Sequence, residues 1–335
     1  SCHSFALAGP PPNDYDFDFV TIGAVGNAPY SGDVEGNNAG RGQVNYEYRI
    51  ARMEVTTAQW MEFVNTFSVQ GNDIAGPGRI FSWGAVVDNT YNGPGRRYKL
   101  NPAAPNAALY PVFGINWRDC AQFVNWLNND KSPSPEALTH GAYDTSSFTQ
   151  NPNNSLNDQL FHDPDAKYWI PTLDEWLKAA HYDPDRYGQG QEGWWEYSTM
   201  SDTPPIPGFP GVGQTSAGDP QGLGEPSRLS IPLGAYPDTV SPWGLLDASG
   251  GSVEWLEEPF SPSFLTSRGA AGSRAGSTFS DMLYFDHAGA IDGGIPSLGG
   301  GRFGLRIASS VPLPGAAPCL FIALQLTTHR RRNKP

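Results

Sequence analysis

The run SPWGLLDASGGSVEWLEE, from Ser241 to Glu258, gathers carboxylates, glycines and a serine in a pattern that suggests metal binding. Asp247 and Glu254 stand seven positions apart, with Gly250 and Ser252 between them. A glycine-rich turn can fold back so that two carboxylates and the intervening carbonyls face one point, and an oxygen-only cluster of that kind suits a hard cation such as calcium. The same residues also fit a plainer arrangement, in which Asp247 caps a turn and Glu254 pairs with a nearby basic side chain.

Other reactive side chains are poorly placed for catalysis. The six histidines, His3, His140, His162, His181, His287 and His329, show no HxH or HxxxH spacing for zinc or iron. No nucleophile-elbow motif and no ordered Ser-His-Asp series is present. Asp174 and Glu175 open a helix, where carboxylates complement the N-terminus, and His181 falls near that helix's end, where a cation complements the dipole. The three cysteines cannot form a disulfide framework. Cys2 and Cys319 lie in the terminal segments, and Cys120 shares an apolar helical stripe with Phe123, Val124 and Leu127, so it reads as a buried structural thiol. No catalytic residue is assigned.

Three amphipathic helices must carry the frame around these residues. Their apolar stripes are Trp60, Phe63, Val64 and Phe67; Cys120, Phe123, Val124 and Leu127; and Leu173, Trp176, Leu177 and Ala180. Thr56 with Gln59, and Thr172 with Glu175, have capping-box spacing. Strands are expected at Asp18–Ile22, Val44–Ile50, Tyr168–Ile170 and Phe303–Ala308. Long Gly/Pro/Asn/Ser-rich loops run between them, at Gly71–Asn106, Ser132–Asn157 and Ser201–Asp238.

Composition fits a loop-rich chain held by aromatic packing: 335 residues hold 39 Gly, 31 Pro and 10 Trp, with only 16% charged. A formal charge of -13 excludes nucleic acid as a partner of the body, since nothing there neutralises a phosphate backbone. The basic cluster Arg330, Arg331, Arg332 and Lys334 sits at the C-terminus, after an apolar run over 316–326. Apolar-then-basic order matches a segment that stops in a membrane, and Gln325 and the shortness of the run fit a surface helix equally. Ser1 is not a methionine, and Ala6-Leu7-Ala8 resembles the step before a signal-peptidase cut, so an upstream segment and export are expected. The expected organisation is a signal remnant or disordered N-terminus over 1–15, one domain over 16–310, and an apolar-basic sorting or membrane tail over 311–335.

Six blocks in order carry a family resemblance: YRIARMEVTTAQWMEFVN (48–65), PVFGINWRDCAQFVNWL (111–127), YWIPTLDEWLKAAHYDP (168–184), SPWGLLDASGGSVEWLEE (241–258), RAGS (274–277) and GRFGLRIAS (301–309). The series resembles the formylglycine-generating enzyme, or sulfatase-modifying factor, family. That resemblance implies an irregular, loop-rich α+β fold related to C-type lectins. It also implies a structural calcium at the positions matching Asp247, Gly250, Ser252 and Glu254. The family's oxidases turn a substrate cysteine into formylglycine with copper(I) held by two cysteines, because the soft ion prefers thiolate. Counting from Ser277, with Ser273 as a competing anchor, those positions fall at about Phe285 and Ala290, and no cysteine occurs from Ala121 to Pro318. Copper is therefore not expected, although His287, beside Asp286, would be the residue of an altered site.

VPLPGAAP with the following apolar run and RRR also resembles the PEP-CTERM sorting tail of exported bacterial proteins, with Leu313 in place of the usual Glu. The resulting expectation is an exported bacterial, non-catalytic binding or surface-structural module of the cell envelope, with a protein or glycan ligand. A contact surface could come from WWEYS (194–198) if its rings are exposed, although such rings are more often core. The alternative is a formylglycine-generating oxidase or a divergent oxidoreductase on the same fold.

Overall fold

Both capping boxes form as their spacing predicts. In the computed structural model, which describes residues 12–32, 38–71, 84–149, 156–218, 230–260, 267–298 and 303–312, Thr56 Oγ1 accepts the Gln59 N–H while Gln59 Oε1 accepts the Thr56 N–H. That pair starts helix α1 (Thr57–Ser68). Asn116 caps α2 (Trp117–Asn128), and the Thr172–Glu175 box starts α3 (Leu173–His181). Each satisfies N–H groups that the first helical turn leaves without intrahelical partners.

The apolar stripes of α1 and α2 meet in one aromatic cluster. Phe123 stacks on Trp60 at 5.2 Å and meets Phe63 edge-on at 5.4 Å, and Trp126 lies 5.4 Å from Phe63. Cys120 is fully buried within this core, as the stripe predicts.

Two four-stranded sheets hold the rest. In the first, β1 (Phe19–Ile22) pairs with β2 (Tyr48–Ala51). A two-stranded hairpin follows, β3 (Ala85–Val87) with β4 (Tyr98–Leu100), inside the stretch expected to be loop. Strand β5 (Tyr168–Trp169) is the far edge of the first sheet, and β6 (Tyr182–Asp183) with β7 (Gly193–Trp194) forms a second short hairpin after α3. The second sheet is built from β8 (Val253–Pro259), β9 (Arg268–Ala271) and, after helix α4 (Phe279–Phe285), β10 (Asp292–Gly294) and β11 (Phe303–Gly304). The last strand, β12 (Ala308–Ser309), inserts between β2 and β5, giving orders β1-β2-β12-β5 and β10-β9-β8-β11.

The expected strand 303–308 is therefore two strands in two different sheets. Its middle residues, Leu305, Arg306 and Ile307, cross from one sheet to the other and are fully buried. This α+β arrangement of short elements and long loops is the fold class the resemblance implies.

Candidate functional site

The 241–258 loop is locked by its own side chains. Ser241 Oγ accepts the Leu245 N–H and donates to the Ala179 carbonyl. Asp247 adopts a left-handed φ of 56°, and its Oδ2 accepts the Gly234 N–H at 2.6 Å. Gly251 also has positive φ, and a Cβ there would strike the Glu54 carboxylate. That closeness lets the Ser252 N–H and hydroxyl both donate to Glu54.

Of the four residues expected to hold calcium, Asp247, Gly250 and Ser252 lie in this loop and Glu254 lies in β8, where it holds the guanidinium of Arg306. Glu254 Oε1 accepts from Arg306 Nη2 at 2.7 Å and Nε at 3.0 Å, while its Oε2 accepts from Arg306 Nε at 2.9 Å and Trp176 Nε1 at 2.6 Å. The guanidinium also donates to the carbonyls of Ala51, Arg52 and Leu246. Burial pushes the Glu54 carboxyl well up, and the charge of Glu254 adds to that, with Arg306 pulling the other way. Burial likewise raises Asp247 to about 6.

Both Glu254 oxygens are thus engaged by Arg306 and Trp176, and Asp247 Oδ2 by the Gly234 N–H, so the two carboxylates of the expected calcium set already have partners. Beside Asp247 a cavity of ≈ 10 Å³, about one water in size, is lined by Ser198, Thr199, Gln214 and Thr239. Among the described residues no group of three His, Cys, Asp or Glu is arranged to hold a metal. Glu54 and Arg306 lie inside the EVT and GRFGLR blocks, and no local spacing signals that they meet at the 241–258 loop.

The positions matched to the lost thiol pair hold no convergent ligands. Phe285 ends α4, and the Ala290 carbonyl accepts from Asn38 Nδ2. Asp286, raised to about 6 by burial, accepts from Ser249 Oγ at 2.5 Å and from the Ser273 N–H at 2.7 Å. His287 is mostly covered: its ring meets Tyr197 edge-on, its Nδ1 accepts the Gly289 N–H, and its Nε2 lies 3.6 Å from Glu196. His181 departs from expectation. It is buried at the end of α3, and desolvation drops its pKa to about 3, so it is neutral and does not complement the helix dipole as a cation.

A cleft of ≈ 540 Å³ lies beside the β6–β7 hairpin. Tyr30, Arg186, Tyr187, Glu192, Trp194, Glu196 and Asp202 line it. The 184–192 turn is set by Asp185, whose Oδ1 accepts the Gly190 N–H, with Gly188 and Gly190 at positive φ. Arg186 stacks over Trp195 at 4.4 Å and Tyr187 at 4.9 Å and is ion-paired with Asp202. The 194–198 run is thus not an exposed aromatic face: Trp194 and Tyr197 are core, and the run reaches the cleft through Trp194 and Glu196, while Tyr187, which the sequence reading did not single out, is 65% exposed.

A third cluster is a buried latch. Glu257 Oε1 accepts from Tyr143 Oη, the His162 N–H and His162 Nδ1, and His162 stacks on Trp169 at 4.6 Å. Burial alone would lower the His162 pKa, but the hydrogen bond and charge of Glu257, with Glu175 and Asp163, raise it overall. A raised histidine gives its full stabilisation below its unfolded value of about 6.5 and loses it as pH climbs through the higher folded value. Between pH 6 and 8 the urea midpoint of the wild-type chain should therefore fall further than that of His162→Asn. Equal falls would show that His162 carries no such charge.

Residues 19–311 match the profile of a family described as the sulfatase-modifying factor enzyme 1-like domain, FGE-sulfatase. No curated protein matches the sequence. Among solved structures the chain is similar to CarF, with 18% identity and a TM-score of 0.52 over 89% of this chain and 99% of that one. It is also similar to Treponema denticola variable protein 1, with 16% identity and a TM-score of 0.52 over 88% of this chain and 95% of that one. At such identities the likeness concerns the fold.

Proposed function

The chain belongs to the FGE-sulfatase family of sulfatase-modifying factor enzyme 1-like domains, and from that premise we propose that it is an exported, non-catalytic binding module. One observation carries the reading: no cysteine occurs from Ala121 to Pro318, so the paired thiolates that copper(I) chemistry requires are missing from the domain's C-terminal half. Side chains near Phe285 and Ala290 do not replace them. Asp286 is committed to Ser249 and Ser273, and His287 to the Gly289 N–H, with Glu196 and Tyr197 beside it. The cleft beside the β6–β7 hairpin supports a binding role, because its size is that of sites that take small ligands or peptide side chains.

Export rests on Ala6-Leu7-Ala8 and on the apolar-basic tail after Val311, which would attach the module to the cell envelope. Those segments, residues 1–11 and 313–335, lie outside the described residues. Copper titration tests the non-catalytic reading. Purified protein is expected to show no tight one-to-one copper(I) site and no oxygen-dependent oxidation of a cysteine peptide. Stoichiometric binding with peptide oxidation would instead make it an oxidase with substituted ligands.

A further inference from the structure

The cleft beside the β6–β7 hairpin has a charge imbalance that points to its ligand. Its lining holds three carboxylates, Glu192, Glu196 and Asp202, against one guanidinium, Arg186. Asp202 neutralises Arg186 by direct ion pairing, which leaves neither Glu192 nor Glu196 in direct contact with a lysine or arginine; Lys178 acts on Glu192 through its charge alone, its Nζ donating to the Ala24 carbonyl. Glu192 accepts only from uncharged donors, the Tyr182 hydroxyl and, at 3.5 Å, the Ala28 N–H. Glu196 has His287 Nε2 at 3.6 Å, beyond hydrogen-bonding distance.

Covering two carboxylates with a neutral ligand would strip their water and return no charge, whereas a cation restores what desolvation costs. Donor count argues the same way. The lining is rich in acceptors, and a guanidinium brings five donors and no acceptor in a planar fork, while each sugar hydroxyl brings an acceptor with its donor. Tyr187, 65% exposed, adds ring surface suited to a cation.

We propose that this cleft binds an arginine side chain of a partner peptide, held between Glu192 and Glu196 and against the Tyr187 ring. This rests on the binding-module reading and names the ligand class of that module. Arg186 already shows the recognition in miniature, since its guanidinium lies over Tyr187 and Trp195 and is ion-paired with Asp202. A second guanidinium would repeat those contacts on the carboxylates left over.

The test is an NMR titration of the full chain, labelled at the tryptophan indoles, with acetyl-Gly-Arg-Gly-amide. The peptide in which citrulline replaces arginine has nearly the same shape without the charge, and a neutral trisaccharide serves as the glycan probe. Expected is saturable movement of the Trp194 and Trp195 indole signals with the arginine peptide. Affinity should be about tenfold weaker for citrulline and should fall as salt rises from about 50 to about 500 mM. Glu196→Gln, whose side chain makes no internal hydrogen bond, should weaken binding severalfold without a change in melting temperature.

Equal affinity for arginine and citrulline, no binding of either, or saturation by the trisaccharide alone would overturn the proposal. The ligand-side comparison holds even where a protein variant folds poorly. Saccharide binding alone would leave the binding-module reading standing, whereas copper-dependent peptide oxidation would remove that reading independently of the titration.

Discussion

Arg306→Met is expected to lower the unfolding free energy by about 3–5 kcal/mol, read as a fall in the urea midpoint. The side chain of Arg306 is 0% exposed and that of Glu254 2%, so neither can turn to water when its partner is lost. Methionine fills much of the same volume, which isolates the charge from the packing. What remains is a buried Glu254 with only Trp176 Nε1 as donor, close to the buried Glu54 and Asp247, whose ionised forms are already disfavoured by desolvation. The carbonyls of Ala51, Arg52 and Leu246 lose the guanidinium as well, although Arg52 keeps the Leu246 N–H, so the tie between the end of β2 and the 241–258 loop is weakened.

A second substitution separates the causes. Because glutamine still accepts from Trp176, Glu254→Gln added to Arg306→Met should recover part of the loss if stranding the carboxylate is the main cost. A single-variant loss below about 1 kcal/mol would mean that another cation serves Glu254, and restoration by added calcium would identify it.

The contrast between Arg306 and the helices explains what could be read from the sequence. Thr56–Gln59 and Thr172–Glu175 act across three residues, and the helical stripes repeat every three or four, so both are local signals that survive into the structure. The Arg306–Glu254 pair spans 52 residues and the Ser252–Glu54 pair 198, and no spacing rule reports contacts at that range. Residues 303–308 read as one apolar strand because the chain crosses between sheets at a buried arginine, and a polar residue inside a strand pattern looks like an ordinary outward-facing position. Helix α4 has no legible stripe, since it has seven residues and a single buried one, Met282, although Thr278 with Asp281 is a usable cap signal.

The candidate site divides similarly. Asp247, Gly250 and Ser252 fall in one turn that runs into β8 at Val253, and glycines and acids mark such turns locally. Arg306, the partner of Glu254, is not legible there, because it comes from the crossing between β11 and β12. The WWEYS run drew attention as aromatic, yet burial sorts its rings one by one: Trp194 and Tyr197 go inward, and the exposed ring is Tyr187, seven positions before Trp194. The cleft depends on which side of a two-residue hairpin each side chain takes, and a one-residue slip would reverse that.

Phe123→Ala should produce a loss of the same size by a different route, about 3–5 kcal/mol, visible as a lower melting temperature and urea midpoint. Phe123 is 1% exposed and touches four other rings: Trp60 at 5.2 Å, Phe63 at 5.4 Å, Trp126 at 6.0 Å and Phe17 at 6.5 Å. These neighbours cannot easily close the space, because each is fixed by other contacts; Phe63, for example, also packs on Phe67 and Trp126. A cavity that stays open adds to the lost transfer energy. Tyr187→Ala supplies the comparison, since that ring is 65% exposed and its removal should change stability by no more than about 0.5 kcal/mol. The two variants should also differ in the titration with the arginine peptide. Phe123 joins α1 to α2 and lines no part of the cleft, so below its melting transition Phe123→Ala should bind the peptide like the wild-type chain, whereas Tyr187→Ala should bind it more weakly. A stability loss in Phe123→Ala that carried peptide affinity down with it would show that the aromatic core and the cleft are one cooperative unit, and would refute the separation of scaffold from site on which the binding proposal stands.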